Sequence, residues 1–250
     1  MTRPFRLLTY NIRRGGEGRE APLSAVVSAC EPDLVILQEA TRPDVIERLA
    51  RECGLPHCGA RPRTSLGFLA RHRPTVHEWH RPRLSRHAFL EVLPGGSDLR
   101  VFGVHLSAVH AAWTERRRAV ELRNLMRAIA AHQHGPHALV GDFNTLAPGE
   151  LLDIRQLPYR LRAMVWLSGG RVRWRTIQIV LDAGYVDGYR TTHPDDPGMT
   201  FPVWNPHVRL DYVFMPATHA ARLQSCEIVR HPATADASDH FPVLAEIGSV

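Results

Sequence analysis

The chain has 250 residues, 44% hydrophobic and 22% charged, enough to bury one sizeable core, so a single domain over 1–250 is expected. Its formal net charge is +6, its sequence pI is about 9.7, and all 31 basic residues are arginine. That balance suits an anionic substrate, although an arginine-only complement is equally what a GC-rich genome produces. No apolar run is long enough for a signal peptide or a membrane-spanning helix, and four scattered cysteines, at 30, 53, 58 and 226, read as free thiols. The expectation is a soluble, cytoplasmic protein.

In chain order, "FRLLTYNI" is a short apolar strand ending at Asn11, and "PLSAVVSACEPD" a helix stopping before Pro32. "PDLVILQEA" is a strand ending at Gln38 and Glu39. "RPDVIERLAREC" has apolar residues at 45, 46, 49 and 50, a helical stripe. "LGFLARHRP" is a strand ending near Arg71, and "LRVFGVHLSAVH" one that carries His105 and His110. The long run 111–134 has apolar positions at 113, 120, 122, 125, 126 and 129, again helical. "HALVGDFNTL" carries Asp142 and Asn144, two apart and hence on the same side of an extended chain.

Residues 151–176 hold six arginines and one acid, with Trp166 and Trp174 among them. Such a segment reads either as a solvated amphipathic face or as a basic, aromatic wall beside a site. Burying its guanidinium groups unpaired would cost too much, so it is expected at the surface. "TIQIVLDAGYVDGY" is a weaker helix ending before Gly184, "VRLDYVFM" a strand carrying Asp211, and "SDHFPVLAEI" one that opens with Asp239 and His240. Continuous apolar runs of this kind suggest strands buried on both faces. They fall into two groups, near 5–105 and 138–247, each with helices, which fits two packed sheets with helices outside.

Asn11, Glu39, His105, Asp142, Asn144, Asp211, Asp239 and His240 all terminate or interrupt apolar strands. Singly, each is an ordinary turn or cap residue. Jointly they place four carboxylates at one end of the strands, where they would repel one another. A bound cation removes that repulsion, and oxygen ligands suit Mg²⁺ or Mn²⁺. Histidines beside them suit acid–base work on a phosphate.

The ordered set "TYNIR", "DLVILQE", "VHLSA", "GDFNT", "LDYVF" and "SDHFPVL" resembles the endonuclease/exonuclease/phosphatase superfamily over about residues 5–247. The resemblance implies an α/β fold, a four-layer α/β/β/α sandwich of two mixed sheets, and a divalent-metal-dependent phosphoesterase. It implies Glu39 as principal metal ligand with Asn11 and Asp239 in support. It also implies Asp142 and Asn144 for the attacking water and the phosphate, and Asp211 to orient His240. His105 is left to stabilise the phosphate or protonate the leaving oxygen. Ala70 stands where many relatives have Ser, and Glu121 where many have Gln. The substrate class stays open between nucleic acid, favoured by charge and the Arg/Trp segment, and a phospholipid at a membrane surface or a small phosphorylated metabolite.

Overall fold

The computed structural model describes residues 3–82, 88–108, 112–132, 135–150, 155, 159, 162–163, 166 and 175–248. Twelve strands form two six-stranded sheets. The first holds β1 (Phe5–Asn11), β2 (Leu34–Gln38), β3 (His57–Ala60), β4 (Leu66–Ala70), β11 (Leu223–Ile228) and β12 (Val243–Ile247), in the order β11-β12-β1-β2-β4-β3. The second holds β5 (Val76–His80), β6 (Phe89–Leu93), β7 (Arg100–His105), β8 (His137–Asp142), β9 (Tyr185–Asp187) and β10 (Asp211–Pro216), in the order β5-β6-β7-β8-β10-β9. Each sheet has one parallel pair at its centre, β1 with β2 and β7 with β8, and its other pairings are antiparallel.

The apolar runs explain the layering. In β1, Leu7 packs into the cluster between the sheets with Ile36, Val101, Val140 and Val213. Leu8, pointing the other way, joins Val35, Leu37 and the apolar faces of α1 (Glu20–Ala29) and α2 (Pro43–Glu52). On the second sheet, Phe102, Leu139 and Phe214 pack against Leu122, Leu125 and Ile129 of α3 (Ala112–His132) and Ile177 and Val180 of α4 (Arg175–Asp182). Both faces of both sheets are therefore covered, giving helix, sheet, sheet, helix. Burying each such Leu, Ile or Phe contributes about 1.5–3 kcal/mol, on the helices as on the strands.

One sequence expectation is corrected. The strands do not divide at residue 105: β5, β6 and β7 share the second sheet with β8, while β12 returns to flank β1 with β11 beyond it. Helix α4 ends at Asp182, before Gly184 as expected; Tyr185–Asp187 then adds an edge strand, and the Asp187 carboxylate caps α5 (Gly188–Thr192) by accepting from Arg190 N at 3.2 Å. Strand β4 ends before Arg71 as expected; it runs antiparallel to β2, so Arg71 lies at the opposite end of the sheet from Gln38, paired with Asp33.

Of 151–176, Tyr159 and Trp166 are exposed at 83% and 76%, as are Arg155, Arg162 and Arg175. Thr176 is buried, its backbone N and hydroxyl both donating to Glu115 at 2.8 Å. Arg160, Arg171, Arg173, Trp174 and His110 lie outside the described residues. Among the described residues no helix is long and apolar enough to cross a membrane.

Candidate active site

Register brings the polar strand ends together. In the second sheet His105 is paired with Asp142 across the parallel β7–β8 ladder, and Asp142 with Asp211 across β8–β10. Three of the candidate side chains therefore stand at one level on three adjacent strands. In the first sheet Asn11 is level with Gln38, and Glu39 follows directly. Because β12 runs antiparallel to β1, with Val243 opposite Thr9, the residues just before β12 emerge beside Asn11. There Ser238 Oγ donates to Asn11 O at 2.6 Å and anchors Asp239 and His240.

Gly141 sets the approach of β8 to β7. Its φ is +142°, and a Cβ there would lie 1.9 Å from the Val104 carbonyl oxygen, a backbone atom that has no room to yield. Gly141→Ala is expected to destabilise by about 3 kcal/mol through combined overpacking and backbone strain. It should also displace the adjoining Asp142. Urea unfolding measures the first effect and activity of the residual folded protein the second; an unchanged midpoint would rule the argument out.

Asp142 Oδ2 is the focus of the cluster. Asn11 Nδ2 donates to it at 3.0 Å and to Glu39 Oε1 at 3.4 Å, so one amide bridges two carboxylates. His105 Nε2 and His240 Nε2 lie 3.9 and 4.0 Å from the same oxygen. His240 Nδ1 sits 2.9 Å from Asp211 Oδ2, a hydrogen bond that fixes the ring. Asn144, with φ +52°, turns back so that its own N donates to Asp142 Oδ1 at 2.8 Å. Its side-chain amide donates to Leu106 O at 3.0 Å, and an amide has a second N–H to offer a ligand. Asp239 stands slightly apart, 3.3 Å from Arg13 Nε.

The electrostatics follow from burial. Desolvation would lower His240, but the bonded Asp211 carboxylate, with Asp142 and Asp239 nearby, raises it to about 9. Asp142 is raised well above the usual carboxylate range, chiefly by burial and further by Asp211, against the opposing charge of His240. His105 is lowered, by burial first and by the His240 charge as well, against the pull of Glu39.

The set fits a hard divalent cation. Glu39 and Asp142 bracket the Asn11 amide, and buried Asp211 Oδ1 has no hydrogen-bond partner among the described residues. Asp142 and Asp211 stand on adjacent strands, both buried, and a cation between such oxygens would offset their mutual repulsion. Among the described residues the tightest group of potential ligands is Asp142, Asp211 and His240, with one ligand atom from each all within 4.8 Å of one another. It differs from the expected trio of Asn11, Glu39 and Asp239, and its His240–Asp211 contact is already a hydrogen bond.

The supports behind these groups carry no signature readable in the sequence. Buried Arg118 of α3 donates to Ser107 O at 2.9 Å and to Glu115 Oε2, and Glu115 accepts from Thr145 Oγ1 at 3.1 Å. Helix α3 thus ties the loop after His105 to the loop after Asn144. Glu121 takes the Ser107 hydroxyl at 3.2 Å and Arg117 Nε at 3.3 Å, contacts that suit a carboxylate at this position.

Known structures share this frame. A 3′ phosphatase, NExo, from Neisseria, bound to product DNA hairpin, superposes with a TM-score of 0.71 at 20% identity, covering 98% of this chain and 100% of that one. An AP endonuclease from Archaeoglobus fulgidus gives 0.75 at 17% identity, with 98% and 100% covered. An endonuclease/exonuclease/phosphatase protein from Beutenbergia cavernae gives 0.67 at 19%, with 99% and 72% covered. No curated protein sequence matches significantly. At these identities the likeness establishes the fold. The sequence profile of the Endonuclease/Exonuclease/phosphatase family, however, matches residues 8–240, from β1 through His240, and on that match this chain belongs to the endonuclease/exonuclease/phosphatase family.

Proposed function

We propose that this chain is a Mg²⁺- or Mn²⁺-dependent phosphodiesterase acting on nucleic acid. The observation that carries the reading is the convergence on Asp142 Oδ2 of Asn11, His105 and His240, with Glu39 bridged in through Asn11 and Asp211 behind His240. Glu39, with Asn11 and Asp239, would hold the cation, which when bound neutralises charge on the phosphoryl oxygens. Asp142, less acidic than an exposed carboxylate, orders the attacking water and accepts from it. Asn144 directs an amide N–H at a phosphoryl oxygen. His240, kept cationic by Asp211, faces the negative charge that grows as the water adds. His105, kept neutral by burial, presents an imidazole to the leaving oxygen.

The surroundings favour a polynucleotide. Phe201 packs 4.7 Å from the His240 ring, and Trp204, 68% exposed, lies 6.4 Å beyond Phe201 at 61°. Their loop is tied to the site, since Val203 N donates to Asp239 O at 2.9 Å and Thr200 Oγ1 accepts from Leu210 N at 3.0 Å. Rings leading outward from a phosphate site offer stacking surfaces, worth about 1–3 kcal/mol per base. The net charge of +6 suits a polyanion. Relatives of the same fold include a phosphatase bound to a DNA hairpin and an AP endonuclease.

A substrate panel with Mg²⁺ tests the proposal: plasmid, single-stranded oligonucleotide, abasic duplex, bis-p-nitrophenyl phosphate and phospholipid vesicles. Hydrolysis of at least one nucleic acid is expected, with kcat/KM about tenfold or more above that for phospholipid, the equivalent of one or more stacked bases. Preference for the phospholipid would transfer the chain to the lipid class, and failure on every substrate would refute the reading.

A further inference from the structure

The turn between β1 and α1 is conformationally expensive at two arginines. Arg13 has φ 51° and ψ 118°, and Arg14 has φ 48°, in a region L residues rarely occupy. The same turn uses glycine at 15, 16 and 18, with φ between 71° and 77°. Glycine would satisfy the backbone at 13 equally well, so the side chain there has another reason to be present. The strain is held by the site itself: Arg13 N donates to Asn11 Oδ1 at 2.9 Å, Arg14 N to Glu39 Oε2, and Gly15 N to Glu39 O at 3.0 Å. Arg19 Nη2 clamps the Arg13 carbonyl.

This geometry delivers the Arg13 guanidinium to the rim of the cleft. Its side chain is 41% exposed, and Nε rests 3.3 Å from Asp239 Oδ2, beside His240. The Nη groups make no hydrogen bond among the described residues. A guanidinium fork at the rim of a phosphoesterase site matches two oxygens of a phosphate group. We propose that Arg13 is a phosphate-binding residue of this site, held in a strained backbone conformation so that its fork meets the non-bridging oxygens of the substrate. The proposal rests on the phosphoesterase reading for its substrate, but not for its phosphate chemistry.

The decisive variant is Arg13→Gly, because glycine relieves the strain. Its Tm should equal or exceed that of the wild type. Its affinity for inorganic phosphate, read by calorimetry and as competitive inhibition, should fall about tenfold or more, with KM rising more than kcat falls. Added guanidinium ion at millimolar concentration should restore part of the activity, and Arg13→Lys should recover less than the full fork. Unchanged phosphate affinity in Arg13→Gly overturns the proposal, as does a lowered Tm with activity lost in proportion, since both describe a strut for Asp239. A wild type that binds phosphate through Arg13 yet hydrolyses nothing would keep this proposal and remove the hydrolase reading. The two therefore fail separately.

Discussion

Replacing His240 by Ala, or Asp211 by Asn, should each lower kcat by about 10³-fold or more, and the double variant should fall little further than the worse single one. The two side chains are joined by one buried hydrogen bond of 2.9 Å, with His240 5% and Asp211 2% exposed. In Asp211→Asn the amide can donate to Nδ1, which moves the ring proton to Nε2 and removes the charge that holds the ring cationic. His240→Ala removes the ring and leaves a buried carboxylate that has lost its partner. Either change disables the same device, so the second has nothing left to remove. Losses that multiply would show two independent contributions and contradict the pairing. The metal-free protein gives a second readout. The folded value of His240, about 9, lies above its ordinary 6.5. Its contribution to stability is therefore complete below pH 6.5 and is lost as pH rises through about 9. Tm of the wild type should decline across that window, and Asp211→Asn should flatten the decline.

The sheets were legible as strands and illegible as neighbours. The runs "LLTYNI", "LVILQ" and "ALVGD" are mostly apolar and buried at every position, with polar residues gathered toward their ends, and all three strands are central. Nothing in such a run states its partner. β11 and β12 close the first sheet beside β1 from the far end of the chain, and pairing over that separation is decided by which edges remain uncovered. Edge strand β9 gave no strand signal in the sequence, because three residues, "YVD", cannot establish a period of two.

The site was legible where chemistry imposes residue types and hidden where geometry does. Asn11, His105, Asp142, Asp211 and His240 are unusual endings for apolar strands, and the structure gathers them within a few ångströms of one carboxylate. Arg118 gave no comparable signal. On a helix bearing Arg116, Arg117, Arg123 and Arg127, nothing distinguishes the one guanidinium that is 1% exposed. Arg13 was hidden for a similar reason, since its importance lies in a backbone angle, and a sequence gives no sign that a non-glycine residue is held at positive φ.

Chelation should abolish activity, and Glu39→Ala should raise the Mg²⁺ concentration for half-maximal rate by about 100-fold, an effect at least as large as losing a group that orients a ligand. Glu39 follows β2 with φ +58°, and its carboxylate accepts from Asn11 Nδ2 and Arg14 N. These contacts hold it at the cleft without neutralising it. Thermal shift separates binding from catalysis: Mg²⁺ at ten times its Kd should stabilise the wild type by about 1.4 kcal/mol. The same concentration should do almost nothing for the variant. The neighbouring group of Asp142, Asp211 and His240 provides the competing outcome. If that group holds the ion, Glu39→Ala keeps its thermal shift, and Asp142→Asn loses it instead. That second result would move the metal across the cleft from the first sheet to the second and leave Glu39 as the residue that fixes the Arg13–Arg14 turn through its bond to Arg14 N.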